Sequence, residues 1–253
     1  MSMDIKRVAP VVYKPCVTST NTVIKGLVPS GIAEGFTLVA EKQTAGRGRM
    51  GRSFDSPEGG LYLSMLFFPK CAPEEIATLT PCAAVAVKRA VERECGISPA
   101  IKWPNDLQLD GKKLCGILTE SSVYLGRRFV VVGIGINVNT DISDLPEGLR
   151  GIAVSVSEYT GNSISIERLS AAIIEELDSM YSRWTENKKY CLDEYRRSCV
   201  TTDCDIVIIR PDGRENARAV GIAEDFSLIA EINGEIKHIS FGEISVKKTD
   251  THK

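Results

Sequence analysis

Phe36-Thr37-Leu38-Val39-Ala40-Glu41-Lys42 runs directly into Gln43-Thr44-Ala45-Gly46-Arg47-Gly48-Arg49-Met50-Gly51-Arg52. The first segment is apolar and reads as a strand; the second is polar and rich in glycine. Glycine lets a backbone approach a ligand closely and take up positive φ. Arg47 and Arg49 place permanent positive charge where that backbone is closest, an arrangement suited to a phosphate or an adenylate. Arg/Gly runs also occur in RNA-contacting segments and in plain solvated loops, so the rest of the chain has to decide.

The chain has 253 residues, enough for one large domain or two smaller ones with a real core. Hydrophobic content of 43% and charged content of 25% are those of an ordinary globular protein. A net charge of -2 gives no pull toward nucleic acid or an anionic membrane. No apolar run reaches the roughly 18–20 residues of a membrane span, and Met1 to Val12 lacks the pattern of a signal peptide. The eight cysteines contain no C-x-x-C pair, and His238 and His252 have no metal-ligand spacing. These features predict a reducing, cytoplasmic setting with no disulfide framework and no protein-built metal site.

Ser19-Thr20-Asn21 offers an N-cap to a helix running to Leu27. Leu61 to Phe68 reads as a buried strand and Glu74 to Cys95 as a helix, with Pro81 at its start or at a kink and Gly96 ending it. Ile101 to Trp103 is a short strand limited by Pro104. Leu107 to Leu109 and Lys113 to Glu120 flank Asp110-Gly111, a two-residue hairpin signal. Phe129 to Val138, interrupted only by Gly133 and Gly135, reads as a strand buried on both faces with something packed closely on its glycines. Helices follow over Glu167 to Trp184 and Cys191 to Cys199. From Asp205 onward, five short strands near 205–210, 216–223, 227–232, 235–240 and 244–247 predict a small β-barrel, with a domain boundary near residue 200.

Several chemistries are excluded. Gly133-Ile134-Gly135-Ile136-Asn137-Val138-Asn139 continues as strand and does not open a helix, so it is no dinucleotide fingerprint. There is no P-loop and no G-x-S-x-G elbow, and with both histidines near the C-terminus a Ser-His-Asp hydrolase is not supported. Cys115 has the apolar neighbours of an inert core thiol. In Lys102-Trp103-Pro104-Asn105-Asp106, alternation sends Lys102 and Trp103 to opposite faces, although alone such a lysine commonly snorkels to solvent.

The order of Ser19-Thr20-Asn21, Gln43 to Arg52, Lys102-Trp103-Pro104-Asn105-Asp106 and Gly133 to Asn139 resembles that of the biotin–protein ligase family. Lys113-Leu114-Cys115-Gly116-Ile117-Leu118-Thr119-Glu120 resembles its pattern too, as do Gly221-Ile222 and Gly242-Glu243-Ile244-Ser245 in the tail. The likeness runs from about residue 17 to 247. It implies an α+β catalytic domain related to class II aminoacyl-tRNA synthetases over 1–200 and a small C-terminal β-barrel over 201–253. Some bacterial members add an N-terminal winged helix; about sixteen residues precede the first motif here, so the form without a repressor domain is expected. Met50, Cys115 and Ala153-Val154-Ser155, where many members have Ala-Thr-Ser, depart from the pattern without removing a residue that the chemistry requires.

The resemblance implies two steps with ATP, biotin and Mg2+: formation of biotinyl-AMP, then transfer of biotin to a lysine of a biotin carboxyl carrier domain. Ser19, Thr20, Asn21 and Gln43 are implied to hold the biotin ring, with Gly116 and Leu118 lining its pocket. Gly46, Arg47, Gly48 and Arg49 are implied to wrap the carboxylate and adenylate, and Lys102 to bridge carboxylate and α-phosphate. Arg49, Lys102, Asn105 and Asn137 are the implied nucleotide contacts, while Asn105 and Asp106 could instead merely end a strand. The glycines make ordering of the arginine loop costly, so closure over the intermediate is expected. A homodimer is possible, with strand 129–138 either pairing across a two-fold axis or buried within one subunit. Two alternatives stay open: a lipoate– or octanoate–protein ligase, and a non-catalytic biotin-sensing or RNA-binding module.

Overall fold

A computed structural model of the chain describes residues 9–210, 213–240 and 245–248. Its elements are β1 (Val11–Val17), α1 (Thr20–Leu27), β2 (Thr37–Gln43), β3 (Leu61–Phe67), α2 (Leu79–Cys95), β4 (Ala100–Lys102), β5 (Asp106–Leu109), β6 (Lys112–Tyr124) and β7 (Arg127–Ile136). There follow α3 (Glu147–Arg150), α4 (Val156–Thr160), α5 (Ile166–Glu186), α6 (Lys189–Ser198), β8 (Cys204–Arg210), β9 (Gly213–Ile222), β10 (Leu228–Ile232), β11 (Glu235–Ile239) and β12 (Ser245–Lys248). Local signals set several boundaries. The Ser19 side chain accepts from Thr22 N at the start of α1, and Gly96 ends α2 at φ 67. Asp110 and Gly111, at φ 48 and 80, make the left-handed turn that matches strand twist between β5 and β6.

The larger sheet has the order β1-β2-β3-β7-β6-β5-β4. Only the β1–β2 pair is parallel. Register sorts its side chains onto two faces, because directly opposed residues point the same way. One face carries the row Ile117, Ile134, Leu63, Val39. It is buried with Val85 and Leu79 of α2 and Leu169, Ile173 and Leu177 of α5 in the main core. Fully burying one such side chain contributes roughly 1.5–3 kcal/mol, so this face is where the sheet is anchored.

The other face is divided. At one end α1 covers it, and Ile24 and Val28 pack on Phe36, Leu38, Leu66 and Val131. Beyond α1 the same face carries the rows Lys102, Asp106, Gly116, Gly135 and Leu118, Gly133, Ser64. Two strands thus meet in a strip with glycine at three of its positions. Bare backbone between a helix start and a charged sheet edge is what positions the site.

The C-terminal strands form an antiparallel sheet of order β11-β10-β9-β8-β12. It is not the closed barrel expected from the sequence: β11 and β12 are its edges, and among the described residues no pairing joins them. A sheet must bury its apolar face, but it can do so against another element instead of by curling on itself. Here Ile206, Ile208, Ala219, Leu228 and Phe226 share one core with Trp103 and Tyr195. The Phe226 and Tyr195 rings meet edge to face at 5.6 Å.

Of the two positions left open for strand 129–138, the structure shows the interior one: β7 lies between β3 and β6 and offers no free edge for pairing across a two-fold axis. The sequence reading lacked β1, an edge strand with mostly exposed residues and Pro15 inside it. Among the described residues no helix is long and apolar enough to cross a membrane.

Candidate active site

The arginine loop folds as a hairpin. Phe54 N donates to Gly46 O at 2.9 Å and Gly48 N to Arg52 O at 2.7 Å, with Arg47 and Ser53 bridged between them. Met50 and Gly51 turn the tip at φ 59 and 71. Gly46 is required sterically: a Cβ there would stand 2.2 Å from Phe54 O. The hairpin folds back over the bare strip, and Phe54 lies on it. A Cβ on Gly135 would come within 2.5 Å of the Phe54 ring, and one on Gly116 within 3.1 Å. These glycines therefore exist for close approach, as the sequence suggested for β7.

Beneath the hairpin, the first turn of α1 supplies a polar subsite. Gln43 Oε1 accepts from Thr20 N at 2.8 Å, and Gln43 Nε2 donates to Ser56 Oγ at 2.9 Å. Ser64 Oγ lies 2.6 Å from both Thr20 Oγ1 and Asn21 Oδ1. Asn21 fits only because Gly133 has no side chain; a Cβ there would be 2.1 Å from Asn21 Oδ1. Ser19, Thr20 and Asn21 are all buried, yet line the cavity.

At the opposite end the cavity is cationic. Arg49 Nη1 donates to Asn105 Oδ1 at 2.9 Å, and Asn105 Nδ2 donates to Ile117 O at 2.8 Å. Burial lowers the Arg49 pKa from its ordinary value and Arg52 acts in the same direction, while Asp106 opposes them. Lys113 Nζ pairs with Asp106 at 2.8 Å and stands 5.6 Å from the Phe54 ring centre. Lys102 lines the same space, and among the described residues it makes no ion pair. Cys115 points to the main core instead, and burial pushes its thiol pKa well up, as expected of an inert thiol.

The cavity thus gathers Ser19, Thr20, Asn21, Gln43, Arg47, Gly48, Arg49, Lys102, Asn105, Gly116 and Leu118 from the residues singled out in the sequence. Gly46, at the base of the hairpin, does not line the cavity. Asn137 is placed differently: it is buried and its Nδ2 donates to Val154 O at 3.2 Å, away from the cavity walls. The sequence reading missed Lys113, Phe54 and Ser64. Lys113 had a weak signal, since it opens the same motif as Gly116; Phe54 and Ser64 had none short of the sheet register. No group of three or more His, Cys, Asp or Glu side chains among the described residues could hold a metal by itself.

Comparison with known proteins agrees with this architecture. Residues 13–139 match the model of the Biotin/lipoate A/B protein ligase family. The bifunctional ligase/repressor BirA of Bacillus subtilis strain 168 is 34% identical over 241 residues, covering 93% of this chain and 73% of that protein. A relative of the same name from Bacillus spizizenii is 43% identical over 155 residues, a match that spans 48% of its length. A biotin--[acetyl-CoA-carboxylase] ligase of Mycobacterium tuberculosis is 29% identical, covering 89% of this chain and 85% of that one. Among solved structures, the biotin protein ligase of Aquifex aeolicus in complex with biotin and ATP superposes with a TM-score of 0.83 at 28% identity. That likeness covers 94% of this chain and 99% of the other. The chain belongs to the Biotin/lipoate A/B protein ligase family.

Proposed function

We propose that this protein is an ATP-dependent biotin–protein ligase. The observation that carries the reading is one cavity with a hydrogen-bonding end, a bare glycine floor and a cationic end. A cyclic urea has two N–H donors and one C=O acceptor, and the subsite of Ser19, Thr20, Asn21 and Gln43 offers both kinds of partner. A dithiolane ring or a plain alkyl chain has no N–H or C=O to match these polar groups and would gain no hydrogen bond from them. The polar end therefore favours biotin over lipoate or octanoate.

In the first step a carboxylate oxygen of biotin attacks the α-phosphorus of ATP. A new O–P bond forms, the bond to the bridging oxygen breaks, and pyrophosphate leaves. The requirement is positive charge around the reacting oxygens, not an enzyme nucleophile. Arg49, Lys102 and Lys113 supply it, and Arg47 and Gly48 close over the carboxylate. In the second step a lysine amine of the acceptor attacks the acyl carbon; AMP leaves and the amine loses a proton. We assign the acceptor as a biotin carboxyl carrier domain, by analogy with the acetyl-CoA carboxylase named for the Mycobacterium tuberculosis relative.

Magnesium fits as a companion of the nucleotide. It commonly binds through phosphates, water and one or two carboxylates, and among the described residues Asp106, paired with Lys113 in this structure, is the carboxylate lining the cavity. When bound it would neutralise phosphate charge. Asn137 is left as a support of the strand end, and Asn105 as the residue that holds Arg49.

ATP–pyrophosphate exchange with biotin, lipoate and octanoate tests this reading without an acceptor. Exchange with biotin alone is expected. Exchange with lipoate or octanoate instead would move the protein to the cousin activity, and none with any acid would leave a binding module.

A further inference from the structure

We propose that Glu120 is a positioning residue that orients both the ring subsite and the arginine hairpin. The substrate side of this inference rests on the ligase reading; the mechanical side rests on the structure without ligand. Glu120 is on β6 and does not itself line the cavity, and neither do Lys25 and Ser64. Its carboxylate nevertheless reaches two parts of the site. Oε2 accepts from Asn21 Nδ2 at 2.9 Å, while Oε1 takes Lys25 Nζ at 2.6 Å and lies 3.5 Å from Arg47 Nη2.

The first arm sets hydrogen-bond polarity. A carboxylate can only accept, so the Asn21 amide must turn its NH2 toward Glu120, and Leu118 O accepts from the same nitrogen at a longer 3.3 Å. Asn21 Oδ1 then faces Ser64, which carries one hydroxyl hydrogen and must donate it there. Thr20 Oγ1 lies 2.6 Å from Ser64 Oγ and 3.2 Å from Gln43 Oε1, so its single hydroxyl hydrogen points to one of these two neighbours. In either case that hydrogen is committed within the protein, which leaves Thr20 as an acceptor where it lines the cavity. Glu120, Asn21 and Ser64 thus form a one-way chain whose direction starts at the carboxylate and whose end meets Thr20.

The second arm holds the hairpin. Lys25 and Arg47 share Oε1, so the negative charge keeps two cations side by side. Neutralise it and they repel, and Arg47 is the partner on the more exposed and less anchored element. One carboxylate outside the cavity therefore couples the wall that reads the ring to the loop that closes over the chain.

The test compares wild type with Glu120→Gln, and with Glu120→Asp, which keeps the charge. In biotin-dependent pyrophosphate exchange, Glu120→Gln is expected to raise KM for biotin about tenfold or more, the scale of one lost charge-assisted hydrogen bond. KM for ATP and kcat should change far less, a split that general loss of structure would not give. Limited trypsin digestion of the ligand-free protein should cut after Arg47, Arg49 or Arg52 about fivefold faster in Glu120→Gln, with Glu120→Asp between it and wild type. A biotin KM within about twofold of wild type overturns the ring arm, and unchanged cleavage overturns the hairpin arm. If wild type shows no exchange with biotin, the ligase reading fails, while cleavage of the ligand-free protein still decides whether Glu120 holds the hairpin.

Discussion

Trp103 Nε1 donates to Phe226 O at 3.0 Å, joining the strand end that carries Lys102 to the C-terminal sheet. Trp103 N donates to Thr201 Oγ1 at 2.9 Å, and the Tyr195 hydroxyl donates to Pro104 O at 3.1 Å. The segment from Lys102 to Asp106 is therefore clamped from behind while its front face lines the cavity. Trp103→Phe deletes the donor and one of the two fused rings, leaving a buried carbonyl unpaired beside a small void. A loss of about 1–3 kcal/mol in urea unfolding is expected, with a slower adenylation step because Lys102 and Asn105 lose their backing. Single-turnover kinetics on the folded variant separates the two effects.

Gly135→Ala should be more damaging than an ordinary strand substitution. The added methyl would sit 2.5 Å from the Phe54 ring, so the hairpin must lift. Overpacking of this kind costs about 1–3 kcal/mol. Calorimetry should show weaker biotin binding, with ATP binding less affected. Unchanged biotin affinity would mean that the ring can move aside freely.

Arg49 and Asn105 should act as a unit. Arg49→Ala is expected to form the adenylate slowly and to release it, seen as free biotinyl-AMP in the absence of acceptor. Asn105→Ala should reproduce part of that leak, because it removes the acceptor that holds the guanidinium. In the double variant the two effects should not add. Lys102→Ala should lose on the order of 10²–10³ in adenylation rate, the scale for one electrostatic donor.

Acid should weaken the wild type through Glu120. Burial is the largest influence and acts to raise its pKa, but the hydrogen bonds from Lys25 and Asn21 and the charges of Lys25 and Arg47 together hold it below its ordinary value. A carboxylate depressed in the folded state stabilises at pH values above its unfolded pKa and loses that contribution as pH falls through the folded value. The stability of wild type relative to Glu120→Gln should therefore be full near neutrality and decline as pH falls below the ordinary carboxylate value of about 4.3. Urea denaturation at a series of pH values checks the sign.

The sequence carried the site unevenly. The hairpin turn at Asp110-Gly111, a cap within Ser19-Thr20-Asn21 and the buried run over β7 were legible because each depends on local chemistry or on alternation. Gly133 and Gly135 announced close packing, but not that Asn21 and Phe54 were the partners, since that depends on which strands adjoin. Ser64 was legible only as part of a buried strand; its role appears once β3 pairs with β7 and sets it opposite Gly133. Lys113 was hidden by the register shift in β5 between Leu107 and Gln108, which upsets simple alternation beside it. β1 was missed because its partner lies on one side only and its exposed residues leave no period to read. The barrel was expected from strand spacing, which cannot distinguish closure from burial against a neighbouring core.

The glycine strip also limits how the pocket can be redesigned. The three floor glycines cannot be truncated further, so on the sheet a bulkier acid gains nothing at these positions. Room has to come from the lid, by shortening Phe54, or from the side, at Leu118. Substitutions on the floor can only make the pocket smaller, which makes Gly116 and Gly135 useful for excluding ligands and useless for admitting larger ones.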